Sequence, residues 1–388
     1  MSDPPLYLDY AASTPVARPV AQRMAQCLTL EGAFGNPGSA GHVYGERARE
    51  LVDGARAEVA AAVGAMARDI VFTSGATESN NLALFGVADY YRGSGRHIVT
   101  GRTEHKSVLD PCRELERRGW RVTYLAPESD GALDPERVAA AVTAETVLVS
   151  VMHVNNETGV IQDIAAMAAL CARSGRARFH VDAAQSVGKC ALDFNALEID
   201  LMSLSAHKAY GPKGAGALAV SSRRGVQLSP LLHGGGQERS LRSGTVATHQ
   251  AVGMGAAFTL ASAGLEAEAR RIAGLKERLW SALRALGGVH LNGAARSVPN
   301  ILNVSFEGVE GESLLAAVSP QIAVSTGSAC SSASADPSYV LRALGRDDRL
   351  AESSLRFSFG RFTREDEIEA AAAAVTRAVT RLRRIGGT

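Results

Sequence analysis

The sequence predicts an α/β protein in which helices cover both faces of a mostly parallel sheet. From about residue 50 to residue 260, short β-branched segments alternate with longer segments whose apolar residues recur at helical spacing. The chain has 388 residues, which is long enough for a large core and two domains. In sheets of this kind, sites form outside the carboxyl ends of the strands. The residues that follow each strand are therefore the first candidates for function.

Seven strands are predicted in this region, and together they form the seven-stranded sheet of the large domain. They are short apolar or β-branched runs at 70–73, 97–100, 121–125, 147–152, 179–182, 201–205 and 215–220. The segments between them have apolar residues at helical spacing. Helices are accordingly predicted at 80–91, 107–118, 135–142 and 164–174.

The chain after Ala247 predicts a second, smaller α+β unit. A long helical region at 250–286, rich in alanine and charged residues, leads into it. The elements that follow are strands at 300–306, 321–325 and 355–359, a helix from Glu312 and a last helix at 364–384. We expect a large domain of residues 15–258, and a small domain in which residues 1–14 join residues 259–388.

Composition and charge exclude several classes of function. The chain is 46% hydrophobic and 21% charged, with a formal net charge of +1, so nothing favours a nucleic acid or an anionic membrane as partner. The first residues lack a basic and apolar leader, and no apolar stretch approaches the roughly 18 residues of a membrane span, so we expect the cytoplasm. Five scattered cysteines without a Cys-x-x-Cys pair argue against a disulfide framework and a structural zinc site.

Lys208 is the first candidate for covalent catalysis. It ends the apolar run 201–208, which is short, has no helical period and stops at Gly211 and Pro212. The run predicts a buried strand that delivers Lys208 to the edge of the sheet. A partly desolvated amine has a lowered pKa and can form a Schiff base with a carbonyl such as that of pyridoxal phosphate (PLP). Few lysines compete for this role, and an ordinary strand-end lysine is the alternative.

Residues 73–81 follow a strand and open a helix. Small residues there let backbone N–H groups approach an anion, and the helix N-terminus adds favourable partial charge. This predicts a phosphate site, with an ordinary capped turn as the alternative. No G-x-x-x-x-G-K-[ST] motif occurs in the sequence, so a P-loop nucleoside triphosphatase is not expected.

Several other polar residues are predicted at the same edge of the sheet. Asp182 ends a strand, where a carboxylate can keep a pyridinium nitrogen protonated, with a helix N-cap as the alternative. His105 stands at a strand-to-helix turn, where an imidazole can stack on a ring or move protons. So many polar groups on one rim are not explained by capping alone. The residues that fall at predicted strand ends are Thr77, His105, Asn156, Asp182, Gln185, Ser205, His207 and Lys208.

Cys330 is the second candidate for covalent chemistry. It lies in residues 325–336, a run of small residues with little to anchor a core, so we expect this segment to be mobile and exposed. A thiol there can be a nucleophile if its thiolate is stabilised. Cys27, Cys112 and Cys171 lie in helical patterns and are interpreted as small buried hydrophobes.

Taken together, these motifs resemble the cysteine desulfurases, which belong to the class V aminotransferase family of fold-type I PLP enzymes. The segment around Cys330, followed by 338–345, resembles the long loop of the NifS/IscS group. The resemblance covers nearly the whole chain, and its specificity comes from the order and spacing of many short motifs. The matching segments are 7–14, 34–37, 74–81, 104–106, 155–159, 182–185, 205–208, 242–245, 327–332 and 355–361.

The resemblance implies a role for each matching residue. Lys208 would hold PLP as a Schiff base and move the substrate's Cα proton, and Asp182 would pair with the pyridinium nitrogen. His105 would stack on the ring and exchange protons, and Cys330 would carry a persulfide. Asn156 and Gln185 would contact the phenolic oxygen of PLP. The residues that would contact its phosphate are Ala76, Thr77, Ser205, His207 and, from the other subunit of a homodimer, Thr245. The residues that would bind the substrate carboxylate are Arg356, Asn156 and Asn36.

The implied reaction converts L-cysteine to L-alanine. The Cys330 thiolate attacks the substrate sulfur, and the resulting persulfide passes to a sulfur-acceptor protein in iron–sulfur cluster assembly or a thiolation pathway. One metal-related role is implied, transient ligation of an iron–sulfur cluster by Cys330. Members that feed an iron–sulfur scaffold often carry a further C-terminal tail, whereas this chain ends soon after its last predicted helix. A nitrogen-fixation scaffold, tRNA thiolation and DNA phosphorothioation therefore stay open as destinations of the sulfur.

Two other interpretations compete with this one. Selenocysteine lysis or transamination would use the same cofactor, although Cys330 and its long segment favour desulfuration of cysteine. A non-enzymatic nucleotide-binding module is suggested by the glycines in 211–216. That stretch precedes a strand rather than opening a helix, so it lacks the context of a dinucleotide fingerprint.

Overall fold

The structure is a computed structural model that describes residues 4–174, 177–293, 296–326 and 336–387. Cys330 and most of the 325–336 segment therefore lie outside the described residues. The strands are β1 (Leu6–Tyr7), β2 (Ile70–Thr73), β3 (His97–Gly101), β4 (Arg121–Leu125), β5 (Thr146–Met152), β6 (Arg178–Asp182), β7 (Leu201–Ser205), β8 (Gly216–Val220), β9 (Val289–Leu291), β10 (Ile301–Phe306), β11 (Ile322–Ala323) and β12 (Ser354–Ser358).

The α-helices in these ranges are α1 (Arg18–Ala25), α2 (Val43–Ala62), α3 (Ala76–Tyr91), α4 (Lys106–Arg117), α5 (Pro135–Ala141), α6 (Ile164–Ser174), α7 (Thr248–Ala263), α8 (Leu265–Arg284), α9 (Gly311–Val318), α10 (Tyr339–Ala343), α11 (Asp348–Glu352) and α12 (Glu365–Gly386). Among the described residues, no helix has both the length and the apolar character needed to cross a membrane.

The largest sheet has seven strands in the order β2-β8-β7-β6-β5-β3-β4. β8 runs antiparallel to both of its neighbours, and the other neighbouring pairs are parallel. The predicted α/β fold with a mostly parallel seven-stranded sheet is confirmed. Six of the strands run in one direction, so their carboxyl ends meet at one edge.

Both faces of this sheet are covered by helices. Successive residues of a strand point to opposite faces, and Ile98 packs in the core under α3 and α4 whereas Val99 packs in the core under α2, α6 and α7. Both side chains are fully buried. Strands that are apolar on both faces appear in the sequence as continuous apolar runs, which is why the sequence predicts them well.

A second core lies against the antiparallel sheet β12-β10-β9. The helices α8, α9 and α12 cover it, and α8 contributes a buried stripe four residues apart at Leu275, Leu279 and Leu283. β1 pairs in parallel with β11, and Leu8 is buried in this core. The N-terminal segment therefore packs with the C-terminal part of the chain.

Two predicted elements are wrong in extent. The helical region 250–286 is broken at Gly264, where φ is −109° and ψ is 6°, because glycine is a poor helix former in a helix interior. The predicted strand 321–325 is reduced to the two residues of β11. Beyond it, a single isolated bridge joins Ser325 to Arg356.

One turn near the large sheet has a strained backbone. Glu238, Arg239 and Ser240 have left-handed φ values of 47°, 57° and 62°, which are unfavourable for residues with a Cβ. The buried Glu238 carboxylate holds the turn. It accepts two hydrogen bonds of 2.7 Å from Arg56 and one of 2.7 Å from the backbone N–H of Phe72. These contacts offset the backbone strain.

Replacing Glu238 by Gln should lower the free energy of unfolding by roughly 3 kcal/mol, because the Arg56 guanidinium loses its buried anionic partner. Equilibrium unfolding in guanidinium chloride, followed by circular dichroism, measures the change. The matched control is Glu266→Gln, since Glu266 pairs with Arg270 at 3.7 Å on the exposed surface of α8 and such pairs contribute little. Equal unfolding midpoints for the two variants would contradict the anchoring role of Glu238.

Candidate active site

The carboxyl edge of the large sheet opens into a cavity of about 520 Å³. Predicted site residues reach it from β2, β3, β5, β6 and β7 or from the turns that follow them, because these strands run in the same direction. One more residue comes from β12. The predicted site residues that line the cavity are Ala76, Thr77, His105, Asn156, Asp182, Gln185, Ser205, His207, Lys208 and Arg356.

Two predicted site residues, Thr245 and Asn36, lie outside the lining of this cavity, and a third, Cys330, lies outside the described residues. Thr245 borders a separate cavity of about 180 Å³. Asn36 is exposed, and its Oδ1 accepts a hydrogen bond from Gly38 N at 2.9 Å. The contacts assigned to these three residues therefore stay predictions.

Lys208 lies in the 3₁₀ turn Ala206–Lys208, directly after β7. Thr14 of the N-terminal segment holds this turn, since its backbone N–H and its hydroxyl donate to His207 O at 2.9 and 2.8 Å. The same hydroxyl accepts from Tyr210 N at 2.8 Å. The backbone is thus fixed on both sides of Lys208, whose side chain lines the cavity.

Asp182 ends β6 as a buried carboxylate. Its Oδ1 accepts from Ala184 N at 2.9 Å, and its Oδ2 accepts from Asn80 Nδ2 at 2.8 Å. In the part of the chain that the structure describes, Asn80 Oδ1 is buried and has no hydrogen-bond partner. Neutral donors on both oxygens fix the carboxylate and leave lone pairs on it. Asp182 can therefore accept a further N–H, such as that of a pyridinium ring.

His105 stands at the N-terminus of α4 with its ring fixed by neighbours. Its Nδ1 accepts from Ser107 N at 3.1 Å, so the proton of the neutral ring lies on Nε2. Ser107 Oγ lies 2.8 Å from the same nitrogen and accepts from Asn80 Nδ2 at 2.8 Å. Burial lowers the pKa of His105, and the charge of Asp182 opposes that shift while the charge of Lys208 adds to it. The result is an oriented imidazole linked to Asp182 through Ser107 and Asn80.

The N-terminus of α3 faces the cavity without a side-chain cap. Its N-cap residue is Gly75, with φ 150°. Gly216 of β8 packs closely against it, and a Cβ at Gly216 would lie 2.5 Å from Gly75 Cα. Uncapped backbone N–H groups and the helix dipole favour an anion at such a terminus. Ala76 and Thr77, the first two helix residues, are accordingly placed to bind a phosphate.

Arg356 on β12 is 3% exposed and supplies a cation to the cavity wall. Its Nη1 donates to Asn156 O at 2.9 Å, and its Nη2 donates to Asp9 Oδ1 at 2.8 Å and to Ser325 Oγ at 3.0 Å. Its Nε is buried and has no hydrogen-bond partner among the described residues. Burying an unpaired guanidinium N–H is unfavourable, and a ligand carboxylate would satisfy it.

Glu157 is a buried carboxyl beside the cavity residue Asn156. Its Oε2 accepts a hydrogen bond from Ser338 Oγ at 2.5 Å. Burial raises the pKa of Glu157 to about 7, although the Ser338 hydrogen bond and the charges of Arg356 and Lys106 oppose the shift. The protonation of this carboxyl therefore changes near neutral pH.

The sequence does not single out three residues that hold the site together. Asn80 and Asp9 lie inside the motifs 73–81 and 7–14, and Ser107 comes two residues after His105. Their neighbourhood in the sequence is the one signal that could find them. Their roles depend on contacts between distant segments, which a single sequence does not reveal.

The polar groups of the cavity fit PLP. The uncapped terminus of α3 suits a phosphate, the Asp182 carboxylate suits a pyridinium N–H, and the Lys208 amine suits an aldehyde. A volume of about 520 Å³ lies in the usual range for small-molecule sites.

Known proteins resemble this chain over most of its length. The family Aminotransferase class-V matches residues 6–371. Cysteine desulfurase IscS of Azotobacter vinelandii is 57% identical over 382 residues, which cover 98% of this chain and 94% of the relative. Among solved structures, a NifS-like protein has a TM-score of 0.90 at 35% identity and covers 97% of this chain and 99% of its own. A structure of SspA in complex with cysteine has a TM-score of 0.81 at 38% identity, covering 91% and 98%.

Glu157→Gln should flatten the dependence of stability on pH. The folded protein binds the Glu157 proton with a pKa of about 7, whereas an ordinary glutamate has 4.5, so between these values the folded state holds more protons than the unfolded chain. The contribution of this group to stability is therefore greatest at low pH. It falls by about 3 kcal/mol as the pH rises through that window.

Urea unfolding of the wild type and Glu157→Gln across this pH window measures the difference. Glu369→Gln, on an exposed position of α12, is the control. Its free energy of unfolding should depend on pH as that of the wild type does. Parallel pH profiles for the wild type and Glu157→Gln would show that Glu157 does not take up the proton.

Proposed function

This chain belongs to the class-V aminotransferase family and, within it, to the cysteine desulfurases, and we propose that the strand-end cavity is where it converts L-cysteine to L-alanine. One observation carries the assignment: Lys208, Asp182 and Arg356 come from distant parts of the chain and line one cavity. An amine, a carboxylate for a ring nitrogen and a guanidinium for a substrate carboxylate are the groups that PLP chemistry on an amino acid requires.

Bound PLP supplies an electron sink that stabilises negative charge at the substrate Cα. Lys208 Nζ would hold the cofactor through its carbonyl carbon and would take the proton from the substrate Cα. Asp182 would keep the ring nitrogen protonated. His105, neutral and protonated on Nε2, would stack on the ring and exchange protons with the thiol groups.

Further contacts hold the cofactor in place. The support for them is that each side chain lines the cavity and that α3 presents uncapped N–H groups there. The proposed phosphate ligands are Ala76, Thr77, Ser205 and His207, and the proposed partners of the phenolic oxygen are Asn156 and Gln185.

Arg356 binds the substrate carboxylate. Its Nε has no hydrogen-bond partner among residues 4–174, 177–293, 296–326 and 336–387, which supports this assignment, as does the position of Asn156 beside it. Asn36 is proposed to assist from outside the cavity lining. Its Oδ1 is engaged by Gly38 N, so the amide N–H groups are the ones it can offer.

Cys330 takes the sulfur. Its thiolate forms a sulfur–sulfur bond with the substrate sulfur while the substrate's C–S bond breaks, and the electron pair of that bond, with a proton, remains on the substrate carbon. The products are alanine and a persulfide on Cys330. We propose that the persulfide passes to an acceptor protein of iron–sulfur cluster assembly or of a thiolation pathway.

A second copy of the chain completes the phosphate site through Thr245. Thr245 is exposed and does not line the strand-end cavity, but borders the neighbouring cavity that shares Ser74 and Gly214 with it. It follows the strained turn held by Glu238, and the nearby Arg242 is tied to Glu78 at the start of α3 by a 2.8 Å ion pair. Left-handed strain persists where a particular conformation is needed. This supports a homodimer in which the segment reaches the partner's site.

We also propose a large domain of residues 15–258 and a small domain of residues 1–14 with 259–388. The separate core of the antiparallel sheet, which includes Leu8, supports this division. The proposed compartment is the cytoplasm. Cys27, Cys112 and Cys190 are thiols rather than disulfides, as expected in a reducing environment.

Borohydride reduction of the holoenzyme followed by peptide mapping should place the cofactor on Lys208. Lys208→Ala should lose this trapping and lower the rate of alanine formation by roughly a thousandfold or more. Lys213→Ala is the matched control, because Lys213 lines the same cavity and should leave the trapped peptide unchanged. A label on Lys213 or Lys189 would overturn the assignment.

Cys330→Ala should lower the rate of sulfide release from L-cysteine under reductant by roughly two orders of magnitude, because the sulfur acceptor is lost. Mass spectrometry should find no persulfide on the variant. Cys190→Ala is the control, since burial raises the pKa of the Cys190 thiol to about 11, and it should keep the wild-type rate. A wild-type rate for Cys330→Ala would remove Cys330 from the reaction.

A further inference from the structure

Lys189 is a buried lysine outside the cavity lining, and it contacts one cavity residue. It is 8% exposed, and its Nζ donates to Gln185 Oε1, four residues earlier in the chain. The other end of that amide is also engaged, because Gln185 Nε2 donates to Ala11 O at 2.8 Å. Gln185 is 3% exposed and lines the cavity.

These two contacts fix which way the Gln185 amide points. The reversed amide would set its NH₂ group against the Lys189 ammonium and its oxygen against the Ala11 carbonyl, which are donor–donor and acceptor–acceptor contacts. The observed orientation places Nε2 toward Ala11 with a second N–H to offer. Leaving a buried donor or acceptor unmatched is unfavourable, so Lys189 in its protonated form, which can only donate, selects one of the two orientations.

We propose that Lys189 is a positioning residue that orients Gln185, so that Gln185 presents an N–H rather than a C=O to the phenolic oxygen of the cofactor. This rests on the proposed function, in which Gln185 contacts that oxygen. Lys189 itself does not touch the reacting atoms.

Among the described residues, no carboxylate forms a salt bridge with Lys189. The groups that act on its charge are Lys208, Cys190 and Arg356, and burial together with the charge of Lys208 lowers the pKa of Lys189 to about 7. Its own charge in turn acts on His207. Its Nζ donates to a neutral amide, that of Gln185. Burying a lysine in such a place is unfavourable unless the contact is used.

Lys276 is a partly buried lysine whose contacts can be compared with those of Lys189. Its Nζ donates to Ser297 Oγ at 3.0 Å and to Val298 O at 3.2 Å. Burial lowers its pKa to about 8. It lies on α8 and is not among the residues that line the cavity, so Lys276→Met is a control for removing a partly buried ammonium elsewhere in the chain.

The test uses holoenzyme of the wild type, Lys189→Met, Lys189→Gln, Gln185→Leu and the double variant Gln185→Leu/Lys189→Met. The dissociation constant for PLP and the visible absorption band of the bound cofactor are measured, because that band responds to hydrogen bonding at the phenolic oxygen. Lys189→Met should raise the Kd roughly tenfold and shift the band. Lys189→Gln keeps an N–H donor and should stay within about threefold of the wild type. Lys276→Met should change neither property.

The double variant decides whether Lys189 acts through Gln185. If it does, Lys189→Met adds no further loss in the Gln185→Leu background, so the two effects are not additive. Equal effects of Lys189→Met with and without Gln185, or an unchanged Kd and band in Lys189→Met, would overturn the proposal. Should Lys189→Met not fold, Lys189→Leu takes its place, with thermal unfolding as the check.

The two hypotheses fail in different ways. If Gln185→Leu changes the Kd and the band while Lys189→Met changes neither, the positioning role is wrong and the proposed contact of Gln185 stands. If Gln185→Leu leaves both unchanged, the proposed contact of Gln185 is wrong, and the positioning role is overturned with it.

Discussion

The buried guanidinium of Arg356 connects the two cores of this protein and the site between them. β12, which carries it, belongs to the small antiparallel sheet, whereas its hydrogen bonds reach Asn156 after β5 and Asp9 in the N-terminal segment. Breaking a buried charge pair is strongly destabilising, so these contacts hold the cores in one arrangement. The Nε of the same group is buried and lacks a hydrogen-bond partner in the described residues, and Arg356 lines the cavity. Under the proposed function, a substrate carboxylate would supply the partner that this guanidinium lacks.

Burial controls the charge of the groups around the cavity. It is the largest cause of the lowered pKa of His207, about 4, and of the raised pKa of Glu157, about 7, and it raises the pKa of Glu104 well above its usual value. Neutral side chains can donate and accept hydrogen bonds without competing for the ligand's charge. In the proposed function, the α3 terminus would match the phosphate of the cofactor and Arg356 would match the carboxylate of the substrate.

Much of the fold follows from the sequence because the central strands are buried on both faces. The strands missed or overestimated, β1, β9 and β11, have two or three residues each, too few to show a period. The strained turn at Glu238 gives no sequence signal, since Glu, Arg and Ser are unremarkable in a turn. The role of Asn80 could not be predicted for a different reason. Its hydrogen-bond partners, Asp182 and Ser107, come from the ends of other strands and are distant in the sequence.

The segment that contains Cys330 is held at both of its described ends by residues of the site. Before it, Ser325 Oγ accepts from Arg356 Nη2, and the backbone N–H of Arg356 donates to Ser325 O at 2.7 Å. After it, Ser338 donates to Glu157, the neighbour of Asn156. The same guanidinium that is proposed to hold the substrate thus fixes one end, and a carboxyl that loses its proton near neutral pH holds the other. The described residues on either side of the Cys330 segment therefore both depend on contacts with the site, Ser325 through Arg356 and Ser338 through Glu157.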